Sequence, residues 1–131
     1  MTIKMRNKAE LLFLLSLMLH CLLWQTSTSV SVKQGRNVTL TCPLKTSVSI
    51  GIVSWYKQNL GEGPNMLLSY NVTMPWTVHY AEGLNSHRYV VLARDGSKAR
   101  HRLRIITTEE KDTATYYCSY SEKMNETQKM P

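Results

Sequence analysis

The 131-residue sequence holds no glycine-rich phosphate loop, no nucleophile motif and no set of histidines at metal-ligand spacing. Phosphate chemistry, nucleophilic hydrolysis and zinc binding therefore lack the residues that would carry them. His79, His87 and His101 are too irregularly placed to share an ion, and no cofactor or catalytic residue is expected. Helical periodicity is missing beyond the first stretch, as are internal repeats and any interdomain linker. Cysteine is scarce, at three residues. No apolar run reaches the roughly 20 residues that a membrane-spanning helix needs. What remains is a chain long enough for one domain with a real core, and too short for two.

The longest apolar run, Leu11 to Trp24, covers about 14 residues. Lys4, Arg6 and Lys8 precede it, and Thr26-Ser27-Thr28-Ser29 follow. A charged start, a short apolar middle and a small-residue exit read as a secretory signal peptide over residues 1–28, leaving residues 29–131 as the domain. The mature chain is then expected in the secretory pathway, outside the cell or at its surface. Cys21 departs with the leader. Cys42 and Cys118 remain, and an even pair in a secreted chain is expected to form a disulfide. Without Lys4, Arg6, Lys8 and Glu10 the formal charge of +7 falls by two, to +5. That balance favours encounters with acidic surfaces but is not the footprint of a nucleic-acid binder.

Beyond the leader the apolar period is two. Val30 and Val32 mark a short edge strand. Val38, Leu40 and Cys42 share one face of the next, with Asn37, Thr39 and Thr41 on the other. Val53 and Trp55 lead a third strand inward, and Gly61-Glu62-Gly63-Pro64 is a turn. Met66-Leu67-Leu68 opens another strand. Residues 76–88 read as a loop with at most one weak edge strand. After a strand over Tyr89–Ala93 and a turn at Arg94–Ser97, Ala99, His101, Leu103 and Ile105 face inward. Lys98, Arg100, Arg102 and Arg104 face outward, about 7 Å apart along the strand. The outward stripe is a solvated sheet face or a contact for a sulfated glycan or acidic partner. The final strand runs from Ala114 to Tyr120.

Trp-Tyr-Lys-Gln at Trp55–Gln58 and Asp-Thr-Ala-Thr-Tyr-Tyr-Cys at Asp112–Cys118 give the chain its family look. It resembles immunoglobulin-superfamily variable domains, more narrowly those of T-cell receptors and of the novel immune-type receptors of fishes. The resemblance implies an all-β sandwich of two antiparallel sheets, tied by Cys42 and Cys118 with Trp55 packed against the bridge. Tyr116 is then the corner tyrosine, and Arg88 pairs with Asp112 to close one end. The 62 residues between Trp55 and Cys118 fit the extra edge strands of the variable type. Complete members end in an aromatic residue and Gly-x-Gly; Ser119–Pro131 contains no glycine. The last strand is accordingly expected to be missing or incomplete, with the strand bearing Cys118 left as an open edge.

The resemblance also assigns surfaces. Ligand-contacting loops correspond to Lys45–Gly51 (with Thr46, Ser47 and Ser49), to Asn71–Tyr80 (with Trp76 and Tyr80) and to the residues after Cys118 (Ser119 and Tyr120). A protein or peptide ligand is implied. The face for pairing with a second variable domain corresponds to Tyr56, Gln58, Pro64, Met66 and Tyr117, with Gln58 placed to exchange hydrogen bonds with its counterpart. Sequons at Asn37, Asn71 and Asn125 are expected to carry glycans. The function so implied is the recognition domain of an immune receptor. The alternatives are a non-rearranging innate receptor and a soluble decoy or adhesion module.

Overall fold

Where apolar residues alternate, the chain extends. The computed structural model describes residues 2–7, 28–43, 50–94 and 100–122. Its strands are β1 (Thr2–Asn7), β2 (Thr28–Ser31), β3 (Val38–Thr41), β4 (Ile52–Gln58), β5 (Asn65–Asn71), β6 (Val78–Tyr80), β7 (Tyr89–Arg94), β8 (Arg100–Ile105) and β9 (Ala114–Ser121). They form two sheets, in the order β2-β1-β9-β4-β5-β6 and β3-β8-β7. The architecture is the expected sandwich, and β6 is the weak edge strand of the region between residues 76 and 88.

The period-two pattern becomes a core because each inward residue meets the other sheet. Val53, Trp55, Leu68, Tyr70, Tyr116 and Cys118 line one side, and Val38, Leu40, Cys42, Leu103 and Ile105 the other. Cys42 and Cys118 are bridged, with their Cα atoms 5.7 Å apart and 76 positions between them in sequence. A bridge closing such a loop is worth about 4.5 kcal/mol in the chain-entropy picture. Trp55 is wholly buried beside it and pairs in register with Cys118. His101 also faces inward, as its place in the alternation requires. Its Nδ1 shares a 2.8 Å hydrogen bond with the Tyr70 hydroxyl across the core. Burial pushes the Tyr70 phenol well above its ordinary pKa, so that hydroxyl keeps its proton.

The open edge expected beside the cysteine strand is not found. β1 occupies it, running parallel to β9 from Ile3 opposite Ala114 to Asn7 opposite Cys118, and antiparallel to β2. The reason lies in its alternation: Ile3 and Met5 turn into the core, at 0% and 7% exposure, while Lys4 stays outside. From Thr115 to Cys118 β9 thus has a strand on both sides, which covers most of the edge that would otherwise be exposed. β1 belongs to the stretch expected as leader, and residues 8–27 lie outside the described residues.

Candidate ligand-binding site

The sandwich has one closed end and one open end. At the closed end the residues Glu110–Asp112 form a single 3-10 turn before β9. It points the fully buried Asp112 at Arg88, whose Nη1 donates to Oδ1 at 3.2 Å and whose Nη2 donates to Oδ2. Nη2 also donates to the Thr107 carbonyl at 3.1 Å, and the Glu109 N–H donates to Asp112 Oδ2 at 2.8 Å. Burial alone would raise the Asp112 pKa. The Arg88 and Glu109 hydrogen bonds, with the charges of Arg88 and Lys57, outweigh it and hold the carboxyl below the usual range. The Tyr116 hydroxyl donates to the Asp112 carbonyl at 2.8 Å. Arg88, Asp112 and Tyr116 thus stand as the resemblance implies, as parts of the frame.

At the other end the start of β4, the end of β9 and the β5–β6 turn bring different chemistry together. Gly51 takes a positive φ of 134°, and an added Cβ there would sit 2.3 Å from the Tyr120 ring. Glycine at this point lets the Tyr120 hydroxyl reach over and donate to the Ile50 carbonyl. The Gly51 carbonyl in turn accepts from Val72 N–H at 2.9 Å, which binds the start of the second loop to the end of the first. Asn71 folds its own sequon into a turn: its Oδ1 accepts from Thr73 N–H at 3.1 Å and from the Thr73 hydroxyl at 2.8 Å. On this braced base Ile50, Met74 and Trp76 are left in water, Trp76 being 77% exposed. Trp76 is therefore a surface residue, not a plug of the sandwich.

Tyr80 differs from its expected place. It lies in β6, paired with Leu68, and its hydroxyl donates to the Tyr89 carbonyl at 3.2 Å. That tie across the sandwich edge withdraws it from the loop end. Ser119 and Tyr120 are the last inner-strand residues of β9 and half-buried. Thr46, Ser47 and Ser49 of the first loop and Asn125 lie outside the described residues, as do Lys98 and Ala99. Asn37 is exposed, with its Oδ1 accepting from Thr107 N–H at 2.9 Å.

On the flank, Pro64 and Met66 are exposed and Tyr56 is half-buried. Tyr117, assigned apolar contact area, is instead buried at 3% exposure, and its hydroxyl donates to Gln58 Oε1 at 2.7 Å. Gln58 Nε2 donates to the Glu62 carbonyl at 2.9 Å. Both ends of that amide are engaged within the chain, which leaves one lone pair and one hydrogen for any counterpart. Leu60 stands fully exposed on the turn beside Gln58, where no alternation in the sequence marks it. Its position after Asn59 in a turn with two glycines was the available signal.

Comparison with known proteins agrees with this geometry. Residues 25–130 match the model of the immunoglobulin V-set domain. Among solved structures, an extracellular fragment of novel immune-type receptor 11 from Ictalurus punctatus is 30% identical, with a TM-score of 0.53, over 66% of this chain and 76% of that one. A chain from a study of T cell specificity and activation by the bacterial superantigen toxic shock syndrome toxin-1 has the same fold. It matches at a TM-score of 0.56 and 17% identity over 70% of this chain and 74% of that one. A bridged cysteine pair across two sheets, a tryptophan against it, a tyrosine corner and a sequence match over most of the length place this chain in the immunoglobulin V-set family.

Proposed function

We propose that this chain is the ligand-recognition domain of an immune receptor, without enzymatic activity, which engages a protein or peptide through its open end. The observation that carries this reading is the exposure of Ile50, Met74 and Trp76 on loops braced by Gly51, Tyr120 and Asn71. Large apolar side chains held in water on a rigid base suit contact anchors, because little conformational freedom is lost on binding. Export, glycosylation at Asn37, Asn71 and Asn125, and removal of residues 1–28, which takes β1 away and leaves β9 paired with β4 alone, belong to the same proposal, as does pairing through Tyr56, Gln58, Pro64 and Met66.

The 30% identity to a novel immune-type receptor favours a second form of this reading, a receptor encoded without rearrangement. The genomic sequence following the Pro131 codon separates the two. A recombination signal there marks a rearranging segment, and a splice donor leading to a membrane-spanning exon marks the fixed receptor. The recognition role is tested with tetramers of the secreted chain on a panel of nucleated cells. Staining is expected to be lost when Met74→Ser and Trp76→Ala are combined. Staining that survives the double substitution sinks the loop-end assignment.

A further inference from the structure

The smaller sheet carries a surface that loop-end recognition leaves unused. β3, β7 and β8 contain no aspartate or glutamate. On the side away from the core, Arg100, Arg102 and Arg104 stand at alternate positions of β8, about 7 Å apart. The register sets Arg94 directly across from Arg100, Leu92 across from Arg102 and Val90 across from Arg104. Three guanidinium groups in line and a fourth beside the first share one face.

Such a face works against the fold that carries it. Like charges directly opposite on antiparallel strands destabilise the pair, and among the described residues no ion pair reaches any of these four arginines. Arg104 Nε donates to Thr39 Oγ1 at 3.1 Å, which lays that side chain across the sheet. Arg102 Nε is buried and has no hydrogen-bond partner among the described residues. A buried N–H without an acceptor is a standing cost to the fold.

We propose that this face binds a sulfated polysaccharide. Guanidinium forks match the oxygens of a sulfate two at a time. Even spacing along one strand suits a linear polymer that bears anions at intervals, and Val90 (39% exposed) and Leu92 offer apolar ground for the faces of the sugar rings. Its three arginines follow one strand in line, a layout that suits an extended chain better than the clustered anchor side chains of a folded protein. It lies on the sheet that does not carry Trp76, so both surfaces can be occupied at once. Asn37 sits beyond the Arg104 end of the stripe, where a glycan borders the polymer path without covering Arg94 or Arg100.

The test titrates the full chain, secreted from eukaryotic cells, with heparin oligosaccharides of defined length at rising salt. Affinity is expected to fall steeply with salt, and Arg102→Gln with Arg104→Gln is expected to lower it about tenfold. Lys33→Gln with Lys111→Gln removes the same charge elsewhere and should leave affinity within about twofold. Thermal melting verifies folding. Should the Arg102/Arg104 variant not fold, the exposed pair Arg94→Gln with Arg100→Gln gives the same reading. Absence of heparin binding overturns the proposal. So does an equal loss in both charge-matched pairs, which reports net charge alone, and so does polyglutamate binding as tightly as heparin, which reports an acidic-protein site. Because Trp76→Ala should leave heparin affinity unchanged, failure here is distinguishable from failure of the loop-end reading.

Discussion

At the closed end of the sandwich a wholly buried carboxylate takes hydrogen bonds from Arg88 and from the Glu109 backbone, and Tyr116 holds the turn that presents it. At the open end the largest side chain, Trp76, stands 77% in water above a base held by backbone contacts at Gly51 and Ile50. The closed end spends charge on rigidity, and its one large exposed apolar side chain among the described residues is Leu60, on the turn after β4. The open end keeps apolar surface available and uses a glycine and a tyrosine hydroxyl to keep it still. Stability and recognition are thus concentrated at opposite poles, and substitutions can pull them apart.

The heaviest loss is expected at the closed end. Asp112→Ala leaves Arg88 without its buried partner and should cost about 3–5 kcal/mol, enough to unfold a domain of this size. Urea unfolding of the secreted chain measures it. A cost under about 1 kcal/mol would mean that the corner is not the stabilising pole. The same pair makes stability depend on pH. The folded Asp112 titrates below its unfolded value, so its contribution is complete above about pH 4 and is lost as pH falls through the lower, folded pKa. Asp112→Asn should flatten the acid limb of a melting-temperature series.

Next comes the one tight point of the open end. Gly51→Ala places a methyl against the Tyr120 ring and the Ser121 carbonyl at a positive φ. A loss of about 2 kcal/mol is expected, with binding weakened as well because the two loops share that contact. Tyr116→Phe removes one hydrogen bond from the corner and should cost about 1 kcal/mol, with ligand binding intact. Smallest in stability is Trp76→Ala, within about 0.5 kcal/mol of the parent, yet it should abolish tetramer staining. A Trp76 variant that melts well below the parent would undo the separation of the two poles.

Much of the frame was legible because it is written locally. The alternation Val38-Leu40-Cys42, Trp55 after the first cysteine and Tyr116-x-Cys118 each sit within a few residues of one another, and each landed where the pattern put it. The Arg88–Asp112 pair was legible only through the family resemblance, since nothing in the spacing alone joins them. What escaped depends on partners distant in sequence. Tyr80 reads as a loop aromatic until it is seen in β6, partly exposed, with its hydroxyl on the Tyr89 carbonyl. Tyr117 reads as apolar contact area until it is seen buried, with its hydroxyl on Gln58. Ile3 and Met5 do alternate, but among Lys4 and Arg6 they read as the charged opening of a leader, and the strand they pair with is almost a chain length away.

That last separation has a consequence in time. Among the described strands β1 is synthesised first and one of its partners, β9, after all the others. A parallel pairing of such range forms late, since the whole intervening chain must be closed before the contact returns anything. Until then the nascent chain carries Thr2–Asn7, with Ile3 and Met5 not yet covered, available to any machinery that handles new chains. The sheet on the other side of the core, β3 with β8 and β7, contains the short-range hairpin β7–β8 and can assemble much earlier. The order of synthesis therefore leaves the side of β9 as the last seam to close, and the segment that closes it is the one exposed longest to sorting.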